Sequence, residues 1–228
     1  MVRVLRSLGV DVDFPRAQTC CGQPAFNSGF RHEARLLAAR FVEIFEVSER
    51  IVVPSGSCAS MVKVFYPDLL KEQPDLRERA LKIASRTHEF TEFLVNVLGV
   101  EDLGAEYEGK VALHKSCHLL RELGVDEEPR KLLGRIRNLR LVELERADSC
   151  CGFGGLFSLK YPEISGGILQ EKIDCIKASG ADTVTACDLG CLMQIGGAIS
   201  RQRIPIKVKH IAELLAVSST RPEEKRSL

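Results

Sequence analysis

The chain has 228 residues, 45% hydrophobic and 28% charged, with a formal net charge of +1. That length suits one large domain or two of about 100 residues each, and the near-neutral charge gives no general electrostatic reason to expect nucleic acid as a partner. No apolar run approaches the roughly 20 residues of a membrane span, and the Met1 end lacks a signal-peptide apolar segment, so a cytoplasmic protein is expected, with no direct membrane insertion and attachment to a membrane only through partners.

The chain opens on VRVLRSLG, which reads as a helix, followed by a strand at Val10–Phe14 that leads to the adjacent pair Cys20–Cys21. Neighbouring side chains on a strand point to opposite faces, so only a turn aims two adjacent thiols at one place; the glycine that follows suits such a turn. Cys58 comes next, in VPSGSC. The charged stretch KEQPDLRER between Leu70 and Ala80 reads as a solvated connection, and His32 as a solvated helical residue. His88 and His210 stand where helices begin and suit capping or surface roles.

The second half alternates strands with helices. Val111–His114 is a short apolar run closing at Cys117, and a helix is expected from Glu127 to Ile136, with Leu132, Leu133 and Ile136 on one face. Leu139–Leu144 reads as the next strand and leads into Cys150–Cys151. Helical spacing runs from Ile164 to Lys177 and stops at Ser179–Gly180, with Cys175 as a core residue. Thr183–Ala186 is a third strand ending at Cys187, with Cys191 just beyond, and Ile206–Val208 a fourth before a closing helix. This alternation predicts an α/β fold with parallel sheets.

The two halves read as a repeat. TCCGQPAFNSG stands against SCCGFGGLFSL, VPSGSCASM against TACDLGCLM, and EFTEFL against HIAELL; Cys58 follows its pair by 37 residues and Cys191 follows its own by 40. We therefore expect two Rossmann-like halves, 1–108 and 109–217, and a polar, disordered tail at 218–228. The first half begins inside its first helix, so it lacks an opening strand and a counterpart of Cys117, and Pro54 takes the place of Cys187. It offers three thiols (Cys20, Cys21, Cys58) against five in the second.

Cys117, Cys150–Cys151, and Cys187 with Cys191 all follow the carboxyl ends of expected strands, the rim where open α/β sheets bind ligands. Clustered cysteines in a reducing compartment point to metal or redox chemistry rather than structural disulfides. An iron–sulfur cluster, usually held by four thiolates, is favoured. Zinc stays open, since His114 and His118 flank Cys117, as does a dithiol redox site. The loop Gly152-Phe153-Gly154-Gly155 suits either a tight turn or backbone N–H groups close to sulfur. No acid–base pair completes a hydrolase, and no Gly-rich dinucleotide fingerprint follows a strand.

These motifs, taken with KSCHLLRELG, DSCCGFGG and ACDLGCLMQ, resemble the cysteine-rich (CCG) domain family, from about Val2 to Val217. Its members include the cysteine-rich subunit of heterodisulfide reductase and iron–sulfur subunits of complexes that oxidise glycolate, glycerol 3-phosphate or L-lactate. The resemblance implies an iron–sulfur electron-transfer subunit, most similar to those of L-lactate oxidation to pyruvate, working beside partner subunits that include a second iron–sulfur protein. It implies Cys117, Cys150, Cys151, Cys187 and Cys191 as ligands of a [4Fe-4S] cluster in the second half, and matches Cys20, Cys21 and Cys58 to a first motif that would hold a second cluster. The heterodisulfide reductase pattern closes with C-x-x-C, whereas Cys187 and Cys191 are spaced C-x-x-x-C, which leaves Cys187 open as a thiol beside four ligands.

Overall fold

Six strands, all paired in parallel, form two sheets in the computed structural model, which describes residues 1–216. The expected disordered tail at 218–228 lies outside the described residues. In the first half β1 (Ile51–Val53) pairs with β2 (Thr87–Glu89). In the second, β3 (Glu106–Leu113), β4 (Arg137–Val142), β5 (Thr183–Ala186) and β6 (Lys207–His210) lie in the order β4-β3-β5-β6. From β3 the chain moves to one side of the sheet and then crosses to the other, so the strand order reverses between β3 and β5. In an α/β sheet, a ligand crevice opens at that point, outside the carboxyl ends of the strands.

Helices cover both faces of the larger sheet, which explains why β5 is buried along its whole length, Thr183 and Thr185 included. On one face Ala112 and Val184 pack against Leu169, Ile173 and Ile176 of the helix Pro162–Ala178 and Ile195 and Ile199 of the helix Leu189–Arg201. On the other, Val111 and Leu113 meet Leu132 and Leu133 of the helix Glu127–Gly134. Phe90, Phe93 and Leu94 from the first half join this second cluster, so one apolar core runs across the junction between the halves.

Polar contacts tie the strand ends of the two halves together. The Gly56 N–H donates to the Cys187 carbonyl at 2.9 Å, and His210 Nε2 lies 2.8 Å from the Pro54 carbonyl oxygen. Both β2 and β6 end in a capping box, Glu89 with Glu92 and His210 with Glu213, which satisfies the first N–H groups of the helices that follow.

Three expectations require correction. Val10–Phe14 forms no strand; the segment is irregular, because a strand needs a hydrogen-bonded neighbour and the described residues offer none beside it. The stretch KEQPDLRER is not a simple connection: Pro74 opens a helix, Pro74–Ser85, that buries Ala80, Ile83 and Ala84. His88 sits within β2, and it is Glu89 that caps the next helix.

Candidate metal centre

Each Cys-Cys-Gly sequence folds as a tight turn with the glycine in the left-handed region, φ +87° at Gly22 and +83° at Gly152, a conformation that an L side chain would strain. The turn brings the glycine N–H back onto the first thiol of its pair. Gly22 donates to Cys20 Sγ at 3.4 Å, and Gly152 to Cys150 Sγ at 3.2 Å. Both thiols of each pair can then serve one site, which a straight strand would forbid.

In the second half, four thiols converge from three strand ends. Cys117 opens the helix Cys117–Leu123 after β3, Cys150 and Cys151 follow β4, and Cys191 lies in the first turn of the helix Leu189–Arg201 after β5. They form a chain of sulfur contacts, Cys117 to Cys150 to Cys151 to Cys191, and the contacts set their protonation. The neighbouring Cys117 and Cys151 thiols hold the Cys150 pKa well below the ordinary thiol value. The Cys117 thiol is pushed up first by Cys150 and then by burial, and the Cys151 thiol by Cys150, then Cys191, then burial. Cys191 is lowered by the Cys151 thiol against the cost of burial, with nearby His114 adding to the effect. The thiolate is the metal-binding form, and these contacts favour it at Cys150 and Cys191.

Cys187 is not brought into this group. It is 1% exposed and lies in the apolar cluster on the opposite sheet face, with Val111 and Leu113. Burial raises its pKa, and its neighbours there are Glu89, Thr91 and Asp188. The period-2 alternation of the strands accounts for the separation. Ala112 and Val184 point to the face that holds Cys151 and Cys191, whereas Cys187, three residues after Val184, points away.

The same alternation puts His114 on the face of Ala112. His114 is 1% exposed, and its ring lies with Cys151 and Cys191 in a group whose ligand atoms are all within 4.8 Å of one another. Neither ring nitrogen has a hydrogen-bond partner among the described residues. Sequence reasoning considered His114 only as a zinc ligand beside Cys117; its place two residues after Ala112 was the available signal. His118 is the second residue of its helix, with Nδ1 3.6 Å from Cys117 Sγ. Cys175 is half-buried against the apolar cluster behind the site.

The first half assembles a smaller thiol group. Cys21 donates to Cys58 at 3.3 Å, and Cys20 stands beside Cys21 at the exposed edge. The contact with Cys21 and then burial raise the Cys20 pKa. The contact with Cys20 lowers Cys21, but the Cys58 contact and burial outweigh it and carry Cys21 up to about 12. Tyr66 closes the site from behind, its buried hydroxyl donating to the Cys21 carbonyl at 2.7 Å.

Asp188 links the two sites. As N-cap of the helix Leu189–Arg201 its Oδ1 accepts from Gly190 at 3.0 Å and Cys191 at 3.2 Å, while Oδ2 accepts from Ser57 at 2.8 Å. One buried carboxylate thus holds the amino ends of the helices that carry Cys191 and Cys58.

This donor set fits a metal or an iron–sulfur cluster. The thiols are gathered from separate elements, and a buried histidine without a hydrogen-bond partner among the described residues lies beside Cys151 and Cys191. A family model described as "Cysteine-rich domain" matches residues 1–63 and 111–196, the two stretches that carry the thiol groups. The chain belongs to the CCG cysteine-rich domain family. The chain is 48% identical over 214 residues to "Lactate utilization protein A" of Bacillus subtilis (strain 168), covering 94% of this chain and 90% of that protein. Identity is also 48% over 214 residues to the protein of that name from Bacillus licheniformis, with the same coverage. Against "Lactate utilization protein A 2" of Bacillus cereus (strain AH820) it is 46% over 216 residues, 95% of this chain and 89% of the relative. No helix among the described residues is long and apolar enough to cross a membrane.

Proposed function

We propose that this CCG protein is an iron–sulfur electron-transfer subunit of a multi-component oxidoreductase that oxidises L-lactate to pyruvate in the cytoplasm. The observation that carries this reading is the convergence of Cys117, Cys150, Cys151 and Cys191 from three strand ends onto one sheet face. Relatives named for lactate utilization at close to half identity supply the substrate. The four thiolates would hold a [4Fe-4S] cluster, which when bound supplies a one-electron reducible centre. Cys20, Cys21 and Cys58 are the candidate ligands of a second cluster.

The chain's own residues then have definable tasks. The Gly152 N–H, already on Cys150 Sγ at 3.2 Å, stabilises negative charge on that sulfur. Asp188 fixes the helix start that presents Cys191. The apolar residues Leu169, Ile173 and Ile195 behind the site exclude water and lower the local dielectric, which with hydrogen bonding to sulfur sets the potential. Substrate oxidation belongs to partner subunits, one of them a further iron–sulfur protein.

The test is anaerobic purification with iron, acid-labile sulfide and zinc analysis beside a visible spectrum. A brown protein that loses iron and sulfide on Cys150→Ser or Cys151→Ser supports the reading. Colourless protein with stoichiometric zinc, unable to take up iron and sulfide, overturns it. Zinc is the second reading because His114, Cys151 and Cys191 alone make a compact mixed nitrogen–sulfur set.

A further inference from the structure

Buried polar groups are almost always hydrogen-bonded, and leaving one unpaired costs about 1–3 kcal/mol. His114 breaks that rule with both ring nitrogens, at 1% exposure, among the described residues. Its backbone gives no reason for the side chain to be there: the His114 N–H donates to the Thr185 carbonyl at 2.8 Å, an ordinary ladder bond that any residue could make. The sheet geometry instead delivers the ring to the face of Ala112, within 4.8 Å of Cys151 Sγ and Cys191 Sγ.

We infer that His114 is a positioning residue of the loaded site, donating a ring N–H to the Cys191 thiolate from the buried side and raising the reduction potential of the cluster. The inference rests on the cluster reading above and deepens it. A donor role is favoured over ligation because Cys117, Cys150, Cys151 and Cys191 already make up a set of four sulfurs, the usual number for a cluster. The two donors to sulfur then complement each other. Gly152 donates to Cys150 at 3.2 Å on the half-buried side, and His114 would serve Cys191, which is 7% exposed. A hydrogen bond to a ligand thiolate stabilises the reduced, more negative state, so its removal lowers the potential.

The experiment uses the full chain, reconstituted anaerobically with iron and sulfide, as wild type, His114→Leu and His114→Gln. Iron and sulfide per chain are measured first, and then the midpoint potential by an EPR-monitored redox titration. The expected result is unchanged iron and sulfide, a lower potential for His114→Leu, and recovery toward wild type for His114→Gln, which keeps an N–H donor. An iron-loaded His114→Leu variant at the wild-type potential overturns the inference, and so does loss of iron from both variants with the fold retained, which would make His114 a ligand. Should His114→Leu fail to fold, pulsed EPR of wild type labelled with 15N-histidine decides. A weak nitrogen coupling, as expected across a hydrogen bond, supports the donor role; a strong coupling or none overturns it. A wild-type protein that takes up no iron and sulfide removes the cluster reading and this inference with it, an outcome read from metal analysis before any variant is made.

Discussion

The Ser57 N–H donates to Asp188 Oδ2 at 2.8 Å, although the two residues stand at corresponding turns of opposite halves. Because Oδ1 caps the helix of Cys191, Asp188→Ala strands three N–H donors at once. The expected cost is about 2–4 kcal/mol, and Asp188→Asn, which keeps one acceptor oxygen, should lose less. Urea unfolding of the metal-free chain measures both; equal, near-zero losses would show that the link is replaceable by water.

Cys187→Ala should keep the iron and sulfide of the wild type, since Cys187 faces Glu89 and Thr91 rather than the other thiols. The same analysis on Cys191→Ala should show loss of iron. A Cys187→Ala protein stripped of iron would mean that the strand end turns over when the site is loaded.

The Glu89 carboxyl is fully buried, and desolvation lifts its pKa from 4.5 to about 7 despite the bonds it accepts from Thr91 and Glu92. The native state therefore holds its proton more tightly than the unfolded chain. Between pH 4.5 and 7 the unfolded state binds fewer protons, so stability from this group falls as pH rises and levels off above 7. The whole effect is on the order of 3 kcal/mol at most. Unfolding midpoints across this range should decline for wild type and decline less for Glu89→Gln; parallel curves would remove Glu89 as the cause.

A Cβ at Gly56 would stand 2.6 Å from Leu119 Cβ, in the contact between the helices Gly56–Ser60 and Cys117–Leu123. Each of those helices carries a candidate ligand, Cys58 and Cys117. Gly56→Ala should cost about 1–3 kcal/mol by overpacking. It should also weaken iron retention at both thiol groups, which iron analysis after gel filtration would detect.

The larger sheet was readable because short segments with apolar or β-branched residues alternate with helical spacing, and Thr183–Ala186 matches β5 at both ends. Val10–Phe14 misled because an extended, alternating segment becomes a strand only with a partner. In Pro74–Ser85 the density of charge hid the spacing of Ala80, Ile83 and Ala84. Five thiols near strand ends were visible, but which of them converge depends on strand parity, one residue's shift reversing the face. That parity separates Cys187 from its neighbours and brings in His114, two residues after Ala112.

The thiol group of the second half has an inner and an outer edge. Cys151 and Cys191 are buried, whereas Cys117 and Cys150 are half-open to solvent, and of these outer two Cys150 is the one whose pKa is lowered. Reactivity toward oxidants follows thiolate character and access. In the metal-free chain an oxidant therefore reaches Cys117 and Cys150 before the inner pair. Any metal held by this group would have to compete with oxidation for those two outer sulfurs, so protection of the site begins at Cys117 and Cys150.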